Sequence, residues 1–571
     1  MFKKCLAKCI ILLLDFIVAI VLSFCSNTSY YISSVDCTMT VNVPGLVSIV
    51  IFYLAILAIG IWAAWKNRNK KGEKASRTIL IGRRDLGLLL GSFTMTASWV
   101  GGGFINGTAE SIYDPQSGLV WTLAPFCYSL SVIVTGLLFA KKMREGNYLT
   151  MLDPFQRKFG KRMGGVLYLP ALMGEIMYCA AILSALGGTL LVIVEIDFRI
   201  AVVISTGIAL TYTVVGGFYS VAYTDVVQLC SLFVGMWLSV PFVLTNDAVG
   251  SISDTAYSGD GGWLGTWSWS FTGSWIDTIL VMVFGGIPWQ IMFQRVLSAE
   301  SPSCARSICL IGGSCAALMA IPSVLIGASA KSTNWTMTDY MNGTGLSPAD
   351  AGQSAMILPI VLQYLTPTAI AFVGLGAISA AVMSSVDATL LSAASMFTKN
   401  VYNGIFRESA SDNELLWIMR ISVVICGIVA TVLALSIQSV YILWFLCSDF
   451  VYVLLFPQLL SVIYFDPNSY GSIGGLIIGA VLRIGGGEVL LNWAPFIHYI
   501  GGDNFPFKTF SMIMSLTTLN GLSYIVKIIF QQGIIPEKYD VFHSKFTSGG
   551  RTIEAKEEYE IKPYFSETAS N

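Results

Sequence analysis

Apolar residues in this chain run on in long stretches separated by short polar connectors. A helix that crosses a bilayer needs about 20 mostly apolar residues, and about thirteen segments meet that need. They fall at 44–66, 87–111, 118–140, 163–194, 197–216, 221–244, 274–294, 306–330, 356–399, 416–437, 441–464, 471–491 and 506–530. The stretch at 356–399 is too long for one simple span and is expected to include a short helix outside the membrane. Residues 1–43 open on MFKKCLAKCIILLLDFIVAIVLSFCS, a basic start followed by an apolar run broken at Asp15. This reads as a signal peptide or a weak extra span. The tail, 533–571, is short, polar and mixed in charge, and is expected to be a disordered cytoplasmic segment. The pattern predicts an all-α membrane protein whose solvent over most of its length is the lipid bilayer.

Two of these segments contain residues that oppose a helix. TASWVGGGFINGTAES, 96–111, places Gly101, Gly102 and Gly103 in succession beside Trp99. Five spans later, DTILVMVFGGIPWQIMFQ, 277–294, is interrupted by Gly285, Gly286 and Pro288 beside Trp289. Non-helical backbone survives at membrane depth only where protein or a water-filled cavity surrounds it. Close packing through small residues is the alternative for either segment alone, and it is the reading for Gly471, Gly475 and Gly479. Interruptions at matching places in two five-span units point instead to inverted repeats around a site near the midplane. The units run over 87–244 and 274–464, preceded by the span at 44–66 and followed by the last two spans within 471–530.

A third segment supplies partners for a broken helix. GLGAISAAVMSSVDATLLSAASM, 374–396, sets Ala381, Ser384 and Ser385 at i, i+3 and i+4, on one helical face. Their oxygens, together with carbonyls freed at a break, form a set of hard ligands without full negative charges. That suits a monovalent ion such as sodium, because calcium and magnesium recruit more carboxylates. Asp387 lies one turn beyond Ser384 and joins the candidates, since an acid inside a span is costly and usually functional. Glu175, Asp449 and Glu488 read equally as structural partners or ion relays.

Composition narrows the function. The chain has 571 residues, 55% hydrophobic and 12% charged, with mean hydropathy +0.70. A net charge of −1 gives no basic surface for nucleic acid. His498 and His543 lie far from any cysteine pair, and the twelve cysteines show no C-x-x-C spacing, so neither a zinc site nor a disulfide framework is expected, although Cys25 and Cys37 are placed to pair outside. No nucleophile, base and orienting group occur together, so the chain is not read as an enzyme and no cofactor is expected. Lysine and arginine collect in KNRNKKGEKASRTILIGRR, 66–84, and KKMREG, 141–146. By the positive-inside rule these connectors are cytoplasmic, which puts the C-terminus inside. The same topology puts the sequons at Asn334 and Asn342 outside, where glycosylation occurs. Asn106 also begins a sequon but is expected to be buried.

The longest strings are specific. GIWAAWK, GRRDLGLLLGSFTMTASWVGGGFINGTAES, TMLDPFQ, GKRMGG, PALMGE, GGFYSVAYTDVVQL, GGIPWQ, FQRVLS, ILPIVLQYL, AVMSSVDATLLSAASMF, LWFLCSDFVY and FPFKTFSM resemble the sodium/solute symporter family, and within it the choline-transporting subgroup, from about 44 to 545. The resemblance implies thirteen transmembrane helices with a leucine-transporter-type five-helix inverted repeat. It implies a sodium site on the backbone oxygens of Ala97 and Val100, the Ala381 carbonyl and the Ser384 and Ser385 hydroxyls. It implies choline-binding aromatics at Trp99, Tyr128, Trp289 and Trp444, with Tyr178 where the subgroup is expected to carry tryptophan. A chloride requirement and a plasma-membrane location, with synaptic-vesicle or endosomal pools, are implied by the resemblance only. Aromatic faces suit this substrate on physical grounds as well, because a quaternary ammonium donates no N–H hydrogen bond and is recognised through the ring quadrupole. A symporter for another small organic cation or solute is the alternative within the fold. A choline-gated channel or an uncoupled choline sensor is the alternative of another class.

Overall fold

The structure, a computed structural model, describes residues 84–542 apart from 195, 215–217, 258–261, 438, 489–492 and 501, together with isolated positions between 47 and 62. The N-terminal segment 1–43 with Cys25 and Cys37, more than half of the 44–66 span, and the tail beyond 542 lie outside the described residues. Among the described residues the elements are helices, with only isolated β-bridges between connectors.

The apolar segments become helices near their expected limits. The first broken span is α1, Leu88–Trp99, and α2, Gly102–Tyr113. There follow α3, Ala124–Leu138; a short α4, Asp153–Phe159; α5, Lys161–Val194; α6, Phe198–Thr213; and α7, Phe218–Leu244. The second interrupted segment gives α8, Thr272–Gly285, and α9, Gln290–Ser298. Next come α10, Pro302–Lys331; α11, Ile357–Tyr364; α12, Thr368–Met396; and α13, Asp412–Ser436. The last elements are α14, Val440–Phe450; α15, Phe456–Tyr464; α16, Ser469–Gly485; and α17, Phe507–Gln531. The long stretch at 356–399 divides as its length required, with Pro367 standing just before α12. Among the described residues, eight helices are long and apolar enough to cross a membrane by length and composition, or nine with the bent α1–α2 pair counted as one.

Connectors assigned to one side of the membrane touch one another. Leu119 and Val120 donate backbone N–H groups to Trp263 and Leu264, and Asn334 donates to Ala248. Both sequon asparagines of this face, Asn334 and Asn342, are exposed, whereas Asn106 is buried as expected. On the opposite face, Arg84 reaches Asn147 and the carbonyl of Tyr148, and Leu86 pairs with the 298–300 strand of chain. There Asp466, between α15 and α16, joins Lys158 of α4 and Lys527 of α17, and the Lys158 hydrogen bond holds its carboxyl below the usual carboxylate range.

The glycines at 471, 475 and 479 do what small residues do between helices. A Cβ at Gly475 would stand 2.7 Å from the Ser515 carbonyl, and one at Gly479 3.0 Å from the Ser515 side chain. This face lets α16 lie directly on α17, with Ser515 donating to the Gly475 carbonyl at 2.9 Å.

Candidate functional site

Helix α1 stops at Trp99 because Val100 and Gly101 leave helical geometry, Val100 at φ −86°, ψ 73° and Gly101 at φ −106°, ψ −166°. The chain turns by 48° before α2 resumes. Gly101 has to be glycine for lack of room: an added Cβ would collide with the Ser385 hydroxyl on α12. The second interruption leaves residues 286–289 between α8 and α9, with Trp289 in extended geometry at φ −115°, ψ 127°.

Carbonyls freed at the first break meet side chains from two other helices. The Ser385 hydroxyl on α12 lies 3.5 Å from the Ala97 carbonyl, and the Tyr178 hydroxyl on α5 donates to the Trp99 carbonyl at 3.3 Å. Val100 and Ala381 are buried beside them. Ser384, the residue before Ser385 on α12, donates to Asp225 on α7. That carboxylate also accepts from Thr94 and Ser98 of α1 and stands 3.5 Å from the Arg295 guanidinium on α9. All of these side chains are buried, so Asp225 knots α1, α7, α9 and α12 together beside the break. Asp387 is not part of this knot. It accepts from Thr213 of α6 at 2.5 Å and so faces α6.

The five aromatic candidates form one connected cluster. Trp99 stands edge-on to Tyr128 and to Trp289, with ring centroids 6.3 and 6.4 Å apart. Tyr178 meets Trp289 at 5.5 Å, and Tyr128 meets Trp444 at 5.1 Å. Their polar ends are committed elsewhere: Trp99 Nε1 donates to the Tyr128 carbonyl, Trp289 Nε1 to the Gly285 carbonyl, and the Tyr128 hydroxyl to the Trp444 carbonyl. Each of the five residues is at most 8% exposed, so the group is buried among the helices. The tyrosine at 178 brings a hydroxyl that ties α5 to the break.

Of the acids left open by the sequence, Glu175 accepts from Ser392 of α12 at 2.5 Å. Asp449 and Glu488 belong to a buried ion group with Arg483 and Lys508. Asp225 was missed, although it carries the signal that singled out Asp387: an acid inside an apolar helix.

A family model described as the sodium:solute symporter family matches residues 79–479. The chain is 52% identical over 535 residues to the high-affinity choline transporter 1 of Torpedo marmorata, covering 90% of this chain and 91% of that one. It is 52% identical over 518 residues to the high affinity choline transporter 1 of Homo sapiens, covering 88% and 89%. Among solved structures, a Na+-coupled sialic acid symporter in a substrate-bound outward-open state superposes with a TM-score of 0.67 at 16% identity, covering 84% of this chain and 97% of that one.

Proposed function

Because this chain belongs to the sodium:solute symporter family, we propose that it is a sodium-coupled symporter importing choline by alternating access. The observation that carries the substrate is the convergence of Trp99, Tyr128, Tyr178, Trp289 and Trp444 at the two helix breaks. Their faces suit a quaternary ammonium, and sugars would instead require several hydrogen-bonding groups turned inward.

The ion site is formed by the carbonyls of Ala97, Val100 and Ala381 with the hydroxyls of Ser384 and Ser385. The proximity of Ser385 to the Ala97 carbonyl supports this assignment. The coupling follows from chain order. Ala97 and Val100 flank Trp99, so an ion that holds their carbonyls also fixes the backbone carrying a cage ring. Ion and choline then favour the same conformation, and each raises the affinity of the other. The wider reading places about thirteen spans across the plasma membrane, with repeat units 87–244 and 274–464, glycans on Asn334 and Asn342, and the tail in the cytoplasm. A role for chloride rests on the resemblance alone.

Radiolabelled choline should accumulate in vesicles above its outside concentration only under an inward sodium gradient. Uptake that only equilibrates would mean a channel, binding without uptake a sensor, and concentration of a different cation another symporter. Trp99→Ala or Trp289→Ala, delivered to the surface, should each weaken choline binding by about 0.5–2 kcal/mol, or about two- to thirtyfold. Parent-like binding in both would place the cage elsewhere.

For Ser384→Ala, the sodium concentration for half-maximal uptake should rise, and choline affinity should fall at low sodium and recover at saturating sodium. A choline defect that no sodium concentration repairs would instead make Ser384 a substrate contact. An unchanged sodium dependence would remove it from the ion site.

A further inference from the structure

We propose that Glu110 is the latch that holds the outer side of the aromatic cage shut, an inference that rests on the transport cycle proposed above. Glu110 lies near the end of α2 and is 7% exposed. Both of its carboxylate oxygens bond the beginning of α14. Oε1 accepts from the Ser439 hydroxyl at 2.7 Å and Oε2 from the Tyr441 backbone N–H at 3.0 Å. Ser439 is the cap of that helix, its oxygen accepting from the Ile442 N–H at 3.2 Å. A single carboxylate therefore joins the first turn of α14 to the last turns of α2.

The junction sits directly over the cage. One turn below Glu110, a Cβ on Gly107 would stand 3.3 Å from the Trp444 ring and 3.5 Å from the Tyr441 Cα, so the two helices touch there. The Tyr441 ring packs 6.2 Å from Trp444, and its hydroxyl donates to the Trp121 carbonyl in the connector after α2. This end of α2 belongs to the sequon-bearing face: Lys331, three residues before Asn334, donates to the Asp114 carbonyl.

The chemistry suits a contact that forms and breaks. A carboxylate can accept at both oxygens, and the N–H groups at a helix start favour a negative charge there. Both bonds exist only while α2 and α14 are in contact. When the helices part, water replaces them. Bonds present in one state alone bias the equilibrium toward that state, which here is the one closed to the outside.

A thiol already in the cage reports the opening. Cys447 is a free, buried cysteine whose sulfur lies 3.8 Å from the Tyr128 hydroxyl. In the full chain at the cell surface, its modification by an external, membrane-impermeant thiosulfonate bearing a trimethylammonium group should be slow. Glu110→Ala should raise that rate about tenfold or more, the effect of losing both hydrogen bonds. Ser439→Ala, which removes one of the two donors, should raise it less, and it carries the test alone where Glu110→Ala fails to reach the surface. Both increases should vanish in a Cys447→Ala background. Parent-like rates in the variants that reach the surface, or an acceleration that survives Cys447→Ala, would overturn the latch. Modification requires no transport, so the result stands apart from whether the chain moves choline.

Discussion

Arg483→Ala is expected to cost about 3–5 kcal/mol, the penalty for breaking a buried ion pair by removing one partner. Arg483 on α16 is 1% exposed and reaches Asp449 of α14 through two nitrogens, Nε at 2.7 Å. Nη2 also donates to Glu488 at 2.5 Å and Nη1 to the Gly487 carbonyl at 2.8 Å. Lys508 of α17 stands 3.1 Å from Asp449 and from Glu488. Two cations and two anions thus balance in a dry environment, and alanine leaves a net negative charge there. The backbone of Lys508 and Thr509 further donates to Asp277 on α8. Through these contacts the last two helices are fastened to α8 and α14, the helices next to Trp289 and bearing Trp444. Thermal unfolding in detergent should show the loss, with little protein at the surface. Arg483→Lys should recover part of it, since the ammonium lacks the two-pronged geometry. Replacing Arg483 and Asp449 together by Met and Leu should destabilise less than Arg483→Ala, because charge balance returns to Lys508 and Glu488. A double variant as unstable as the single one would mean that Arg483 acts through packing.

Asp225 yields the second large effect, and its two substitutions separate two roles. Asp225→Ala strands the buried Arg295 guanidinium and should cost stability on the same scale, about 3–5 kcal/mol. Asp225→Asn keeps an acceptor for Thr94, Ser98 and Ser384 but removes the charge beside the proposed ion site. If that charge favours a bound cation, the loss is about 1.5–3 kcal/mol, the worth of a hydrogen bond to a charged group. That corresponds to about ten- to hundredfold more sodium for half-maximal uptake. Choline uptake measured over a sodium series at matched surface amounts reads the shift. Lower thermal stability with an unchanged sodium dependence would confine Asp225 to holding Arg295.

The helices and both of their interruptions were legible in the chain itself. Segment length against bilayer thickness marked out the helices, and glycines at 101–103 and 285–286 with Pro288 could interrupt an apolar helix only where protein shields the backbone. The tryptophans beside both interruptions and the paired serines at 384 and 385 followed from spacing and resemblance. Gly471, Gly475 and Gly479 read correctly as a packing face because their period of four is a property of one helix. The partners of buried charges did not read in the same way. Asp225 with Arg295, Glu110 with Ser439, and Asp449 with Arg483 lie 70, 329 and 34 residues apart. A buried charge looks the same in sequence whether it meets an opposite charge, a helix start or an ion. Only the packing of helices decides which group it faces, and in a medium that solvates no charge that choice fixes whether the residue holds the fold, closes a gate or binds a cation.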